Sequence, residues 1–243
     1  MKIDVLGVAF DNISLEEAVS QGEEIISQRR GAYVVTPNPE IVMAAGKNPE
    51  LMEALNQAQL VLPDGIGVVY SAKIIGTPLK SRVPGIDFAA GLMERLAQNG
   101  GRVYLFGAKP GVAEDAADNL EEMYPGLVVC GVQDGYFDDD TEIINDINEK
   151  KPDFLFVCLG YPKQEIWMHK NAGKLNVGIM AGLGGCLDVF AGNVDRAPVK
   201  MQKMGLEWLY RLYREPKRIG RMVKLPGILV KSAGERIRGR RDE

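Results

Sequence analysis

One histidine, His169, and three scattered cysteines leave this 243-residue chain little material for several common chemistries. A lone histidine excludes a multi-histidine zinc site. With no Gly-x-Ser-x-Gly segment, it also leaves a Ser-His-Asp hydrolase almost nothing to work with. No Gly-x-x-x-x-Gly-Lys-[Ser/Thr] loop and no Gly-x-Gly-x-x-Gly fingerprint occurs, which disfavours ATPases and the usual NAD-dependent dehydrogenases. Long apolar runs are missing too. The longest stretch without Asp, Glu, Lys or Arg is Leu175 to Leu187, 13 residues, against about 20 for a bilayer-crossing helix. Cys130, Cys158 and Cys186 are odd in number and lie in or beside apolar runs, so they read as reduced packing thiols. The segment from Met1 to Phe10 lacks the apolar stretch and cleavage site of a signal peptide, and the expected location is the cytoplasm.

What is present is a globular composition, 46% hydrophobic and 26% charged, which excludes wholesale disorder. The net charge of −4 is unevenly spread. Residues 196–243 hold 14 Lys and Arg against 5 Asp and Glu, a balance of +9, which leaves −13 on residues 1–195. An acidic body of 1–195 with a basic appendage of 196–243 predicts that the tail meets something anionic.

Within the body, short apolar runs alternate with helix-like segments. Strands are expected at Ile3–Ala9, Tyr33–Thr36, Leu60–Leu62, Arg102–Gly107, Leu127–Val132, Phe154–Gly160 and Val177–Ala181. Helices are expected at Ser14–Gln28, Pro49–Gln59, Gly85–Gln98, Val112–Met123, Thr141–Lys150 and Gln164–Asn171. The alternation predicts an α/β, Rossmann-like sandwich with a largely parallel sheet. From Arg196 it stops. Met201, Met204, Trp208, Leu209 and Leu212 then fall at helical spacing among cationic residues, and Pro216 and Pro226 are expected to break the tail. Such basic amphipathic helices read as anchors for an anionic membrane surface, or as core helices with solvated faces.

Ligands of parallel α/β sheets bind beyond the carboxyl ends of the strands, and five expected strand ends carry unusual loops. They hold Thr36 to Glu40, Pro63-Asp64-Gly65, Gly107 to Gly111, Gly160 to Glu165, and Gly182 to Gly185 with Asp188 beyond. Asp64, flanked by Pro and Gly, could take a proton from a hydroxyl or simply serve a turn. Thr36 just ahead of Pro37, and Asn38 between Pro37 and Pro39, are either substrate-orienting groups or part of a rigid turn. The Gly107 loop could present N–H groups to a phosphate. Asp138-Asp139-Asp140 has the Asp-x-Asp spacing of a metal-diphosphate site, but it equally suits the start of the helix at Thr141.

In series, these loops resemble the WecG/TagA/CpsF family of bacterial glycosyltransferases (glycosyltransferase family 26). The matching segments are Pro37-Asn38-Pro39, Pro63-Asp64-Gly65, Arg82 to Asp87, Phe106 to Gly111, Gly135-Tyr136-Phe137, Leu159 to Glu165, Gly182 to Gly185 with Asp188, Arg196-Ala197-Pro198, Gly205 to Leu212, and Glu215-Pro216. They are most similar to the branch that transfers N-acetylmannosamine in wall teichoic acid linkage-unit synthesis. The resemblance implies inverting, metal-independent transfer from a UDP-sugar to undecaprenyl-diphosphate-linked N-acetylglucosamine, without a cofactor, at the inner face of the cell membrane. It makes Asp64 the general base, with Thr36, Asn38 and Gln164 orienting hydroxyls and Arg82 on a diphosphate. Gly107, Tyr136, Gly160, Gly182 and Asp188 would complete substrate binding. Arg214, Arg218 or Arg221 would fold over the rim to neutralise the departing UDP. A UDP-uronic acid donor on the same acceptor and a non-catalytic nucleotide- or membrane-binding module are the competing readings. Nucleic acid is not an expected partner, since no recognised motif accompanies the arginine-rich end. Self-association through the amphipathic tail is a further expectation.

Overall fold

The computed structural model describes residues 1–29, 31–214 and 224–242. At its centre are six strands: β3 (Ala32–Val35), β4 (Leu60–Val61), β5 (Arg102–Gly107), β6 (Val128–Gln133), β7 (Phe154–Cys158) and β8 (Ile179–Gly182). Their order is β4-β3-β8-β7-β5-β6, and every neighbouring pair is parallel. The expected α/β sandwich is therefore present. Strands β3, β7 and β8 are buried at every position, which is why they read as unbroken apolar runs without polar alternation.

Helices cover both faces. Against one face pack α1 (Leu15–Gln28), α5 (Gly85–Ala97), α6 (Val112–Met123) and α9 (Cys186–Phe190), around Val34, Leu105, Phe156 and Ala181. Against the other pack α2 (Pro39–Ala45), α3 (Pro49–Asn56), α4 (Ile66–Ile75), α7 (Thr141–Lys150) and α8 (Lys163–Asn171), around Val35, Tyr104, Leu155 and Met180. The chain after β3 and β7 leaves toward the second face, and after β5 and β8 toward the first. Crevices therefore open between the strand ends.

Several features depart from the sequence expectation, among them α4 and α9, which lie outside the expected helices. The run Ile3–Ala9 is a hairpin outside the main sheet, β1 (Lys2–Val5) paired antiparallel with β2 (Val8–Asp11). Leu6 and Gly7 both have positive φ, as a tight two-residue hairpin turn requires, and the Gly7 N–H donates to Asp4 Oδ1 at 3.0 Å. Asp4 interrupted the apolar run because it closes the turn. The Thr36 to Glu40 loop runs into a helix, α2, with Asn38 as its cap and Pro39 at its first position. Pro226, expected as a break, lies in the first turn of the last helix, where a missing N–H costs no helical hydrogen bond.

The C-terminal segment contains α10 (Val199–Lys203), α11 (Glu207–Arg214) and α12 (Lys224–Asp242). Helix α12 lies on α4 and α2. Its Ile228 is fully buried in the core, and Arg236 donates to the Ile74 carbonyl at 3.0 Å. That places a cation at the negative end of α4. Arg218 and Arg221 lie outside the described residues.

Candidate active site

Two clefts open beyond the carboxyl ends of the strands, and α9 is the partition between them. Cys186 and Val189 face the first and Asp188 the second.

The first, of about 230 Å³, brings together loops far apart in sequence: Thr36 and Asn38 after β3, Asp64 and Gly65 after β4, Arg82 and Gly85 at the start of α5, Leu183 and Gly185 after β8, and Trp208 and Leu212 of α11. Local chemistry fixes each group. Asn38 Oδ1 accepts the N–H groups of Glu40 and Ile41 at 2.9 and 3.1 Å, which satisfies the first turn of α2 and fixes the side chain at the cleft wall. Thr36 is buried and its hydroxyl donates to the Gly182 carbonyl at 3.0 Å, tying β3 to β8. Asp64 is placed by Gly65, whose φ of 106° turns the chain from strand end into α4. The Asp64 carboxylate is 33% exposed, with Arg82 Nη2 at 3.8 Å.

The second cleft, of about 680 Å³, is lined by Ala108 and Lys109 after β5, Gly135 to Asp138 after β6, Cys158, Leu159 and Lys163 around the end of β7, and Asp188. Tyr136 stands 68% exposed at its edge. Lys163 donates to the Gly135 carbonyl at 3.2 Å and lies 3.8 Å above the Phe137 ring, which holds its ammonium at the cleft. Burial pushes the Cys158 thiol up to about 12 and raises Cys130 as well, so neither is a poised nucleophile.

Other residues singled out from sequence stand elsewhere. Gln164 is buried and lines neither cleft; it donates to Glu165 Oε1 at 2.9 Å and accepts the Gly184 N–H at 3.1 Å, clasping the loop after β8. Gly182 packs under that clasp, where a Cβ would meet Met168 Cε at 2.8 Å. Gly107 marks a close approach of β5 to β7, since a Cβ there would lie 2.4 Å from the Cys158 backbone. Gly160, at φ 73°, opens the turn into α8. Arg214 reaches Asp195 at 2.7 Å on the surface. Of the two Asp-x-Asp carboxylates, Asp138 lines the second cleft, while Asp140 and the intervening Asp139 have local partners. Asp139 accepts from the Thr141 N–H and hydroxyl, which hold its carboxyl below the usual range, while Asp140 accepts from Trp167 Nε1 at 2.7 Å and Asn171 Nδ2 at 3.2 Å.

Sequence reading missed Glu207 as a site residue. Its carboxylate reaches into the first cleft from α11 and meets Arg82 at 2.7 Å. Arg196 stands behind it. Burial works against the Arg196 charge, but the hydrogen bond to Asp87 and the fields of Asp87 and Glu207 more than offset this and hold the guanidinium above its ordinary value.

Fold and clefts together define an α/β enzyme whose polar groups converge beyond the strand ends of a parallel sheet. The chain belongs to the glycosyl transferase WecG/TagA/CpsF family, whose profile matches residues 3–242. A relative from Bacillus spizizenii (strain ATCC 23059 / NRRL B-14472 / W23) is 41% identical over 201 residues, covering 83% of this chain and 78% of that protein. One from Staphylococcus aureus (strain MW2) is 36% identical over 235 residues, covering 96% and 92%. Both are named N-acetylglucosaminyldiphosphoundecaprenol N-acetyl-beta-D-mannosaminyltransferase.

Proposed function

We propose that this glycosyltransferase moves N-acetylmannosamine from UDP-N-acetylmannosamine to undecaprenyl-diphosphate-linked N-acetylglucosamine, with inversion and with Asp64 as general base. The observation that carries the chemistry is the first cleft: a part-exposed carboxylate, a guanidinium 3.8 Å from it, and the neutral groups Thr36 and Asn38 on the facing loop. In the transfer, Asp64 takes the proton from an acceptor hydroxyl while that oxygen bonds to the anomeric carbon. The bond from that carbon to the diphosphate oxygen breaks on the opposite side, and UDP departs with its electrons. Asn38 orients the sugars. Gln164 acts one step back, by holding Gly184 and the loop that walls the cleft.

The second cleft suits the donor's nucleotide, with Tyr136 as a ring for the base and Lys109 and Lys163 for phosphate charge. The leaving diphosphate must be stabilised by protein cations if no metal takes part. Arg82 supplies one, and Arg218 and Arg221 are proposed to supply more. The engagement of Asp140, one of the two Asp-x-Asp carboxylates, by Trp167 and Asn171 supports a metal-independent reading.

Exposed Val199, Met204, Leu209 and Tyr213 on and around α10 and α11 give the tail an apolar face beside the cleft. With the surrounding cations, that face supports seating at the inner surface of the cell membrane; it is also the face available for self-association. No helix among the described residues is long and apolar enough to cross a membrane.

The test is a panel of UDP-sugars assayed with a short-chain lipid-diphosphate-N-acetylglucosamine acceptor, with and without EDTA. Asp64→Asn should lower turnover about 10²–10⁴-fold with the melting temperature retained. Near-wild-type turnover in that variant would remove Asp64 from the mechanism, and loss of wild-type activity in EDTA would remove the metal-free route.

A further inference from the structure

The ion pairs of the first cleft form a chain that crosses from the body to the C-terminal segment. Arg82 Nη2 donates to Glu207 Oε2 at 2.7 Å and lies 3.8 Å from Asp64 Oδ1. The other Glu207 oxygen, Oε1, lies 3.8 Å from Arg196 Nε, and Arg196 Nη1 is 2.6 Å from Asp87 Oδ1. One guanidinium nitrogen therefore stands between two carboxylates and sits on the one from α11. The side chains of Arg82 and Glu207 are 17% and 8% exposed, against 33% for Asp64. Water screens the Arg82–Glu207 pair weakly, so the contact governs where the guanidinium rests.

We propose that Glu207 is a positioning residue for the transfer. By engaging Nη2 it holds the Arg82 guanidinium back from Asp64, so that Arg82 can serve substrate phosphate while Asp64 keeps the basicity that proton removal needs. The proposal rests on the reading of Asp64 as the base. A guanidinium in direct contact lowers a carboxylate's pKa by about 1–3 units, and a weaker base accepts a proton less readily in the transition state. Once the Glu207 charge is removed, Asp64 is, among the described residues, the carboxylate next within reach of the same nitrogen, and Arg82 closes on it.

The charged side chains lining this cleft, among the described residues, are Asp64 after β4, Arg82 ahead of α5, Glu40 on α2 and Glu207 on α11. Glu40 accepts from the Tyr161 hydroxyl at 2.8 Å, and Arg196 and Asp87 stand one link farther out. Because Glu207 is the first residue of α11, the state of the base depends on that helix being seated.

The test compares pH profiles of kcat for the full chain and its Glu207→Gln, Glu207→Asp, Arg196→Gln and Asp64→Asn variants on the short-chain acceptor, with melting curves beside them. Glu207→Gln should lower kcat about tenfold at neutral pH, move the acidic limb about one unit toward lower pH, and change the donor KM less than about threefold. Glu207→Asp, which keeps the charge, should bring the limb back toward its wild-type position. Arg196→Gln should lower the melting temperature, as loss of a docking contact would, and leave the limb in place. An unmoved limb in Glu207→Gln, no recovery in Glu207→Asp, or an equal displacement in Arg196→Gln overturns the proposal and leaves Glu207 a docking contact. Near-wild-type turnover by Asp64→Asn overturns the base reading itself, and the proposal with it.

Discussion

Glu165 shows how much a single buried side chain can weigh at this site. It is 1% exposed, Oε1 receives the Gln164 amide and Oε2 has no hydrogen-bond partner among the described residues. Burial raises its carboxyl above the ordinary value, and the Gln164 hydrogen bond offsets only part of that. Folding therefore disfavours the charged form relative to the unfolded chain. Wild-type stability is full below the ordinary carboxylate pKa, falls as pH rises toward the raised folded value, and levels off above it. Glu165→Gln removes the penalty. Denaturation curves should show the variant equal to wild type in acid and increasingly more stable toward neutral pH; a stability difference independent of pH would show that the carboxyl does not titrate in this way. Single residues were unevenly legible. Asp64, Thr36 and Asn38 could be picked out because prolines and glycines around them mark strand-end loops, and all three do line the first cleft. Glu207 could not, since its partner Arg82 is 125 residues away and only the fold joins them. Nor could the inward aim of Gln164, which depends on how α8 is rotated against β8.

At the scale of elements, the tie between α7 and α8 carries the clearest prediction. Asp140 stands at the cap of α7 and sends its side chain to Trp167 and Asn171 of α8. Asp140→Ala leaves both donors part-buried and unmatched, which should cost about 1–3 kcal/mol in a denaturant titration. Turnover of the folded variant should stay near wild type and unresponsive to added divalent cations; metal-rescued activity would return Asp-x-Asp to the mechanism. Helix and strand positions were largely readable because the sheet is buried on both faces and amphipathic helices alternate with it. The exceptions have physical reasons. The Leu6–Gly7 turn lacks the Asn-Gly pair that usually announces a hairpin, and α2 begins in a proline-flanked loop that also fits a rigid turn. Helix α4 offers no polar cap, starting from Gly65 with no side-chain cap hydrogen bond.

For the whole molecule, the charge asymmetry was visible in composition, but the seating of the tail was not. The body's acidity and the tail's basicity say that the segments differ, whereas Ile228 in the core, Arg236 on α4 and Glu207 in the cleft show that the tail is also built into the body. Removing residues 196–243 should therefore abolish most turnover even on a water-soluble acceptor, because Glu207, Trp208 and Leu212 are walls of the cleft. It should also lower the melting temperature by uncovering α2 and α4. Full activity of the fragment on that acceptor would show that the tail serves only to bring the enzyme to lipid.

The place of Ile228 also sets an order of events during synthesis. The helices that receive it, α2 and α4, emerge from the ribosome well before α12. Strand β3 likewise waits for β8 to fill its side of the sheet. A nascent chain therefore carries its candidate base and the Asn38 loop long before the parts that enclose them exist. A chain that stops short of α12 should therefore expose the apolar seat of Ile228 to chaperones and proteases.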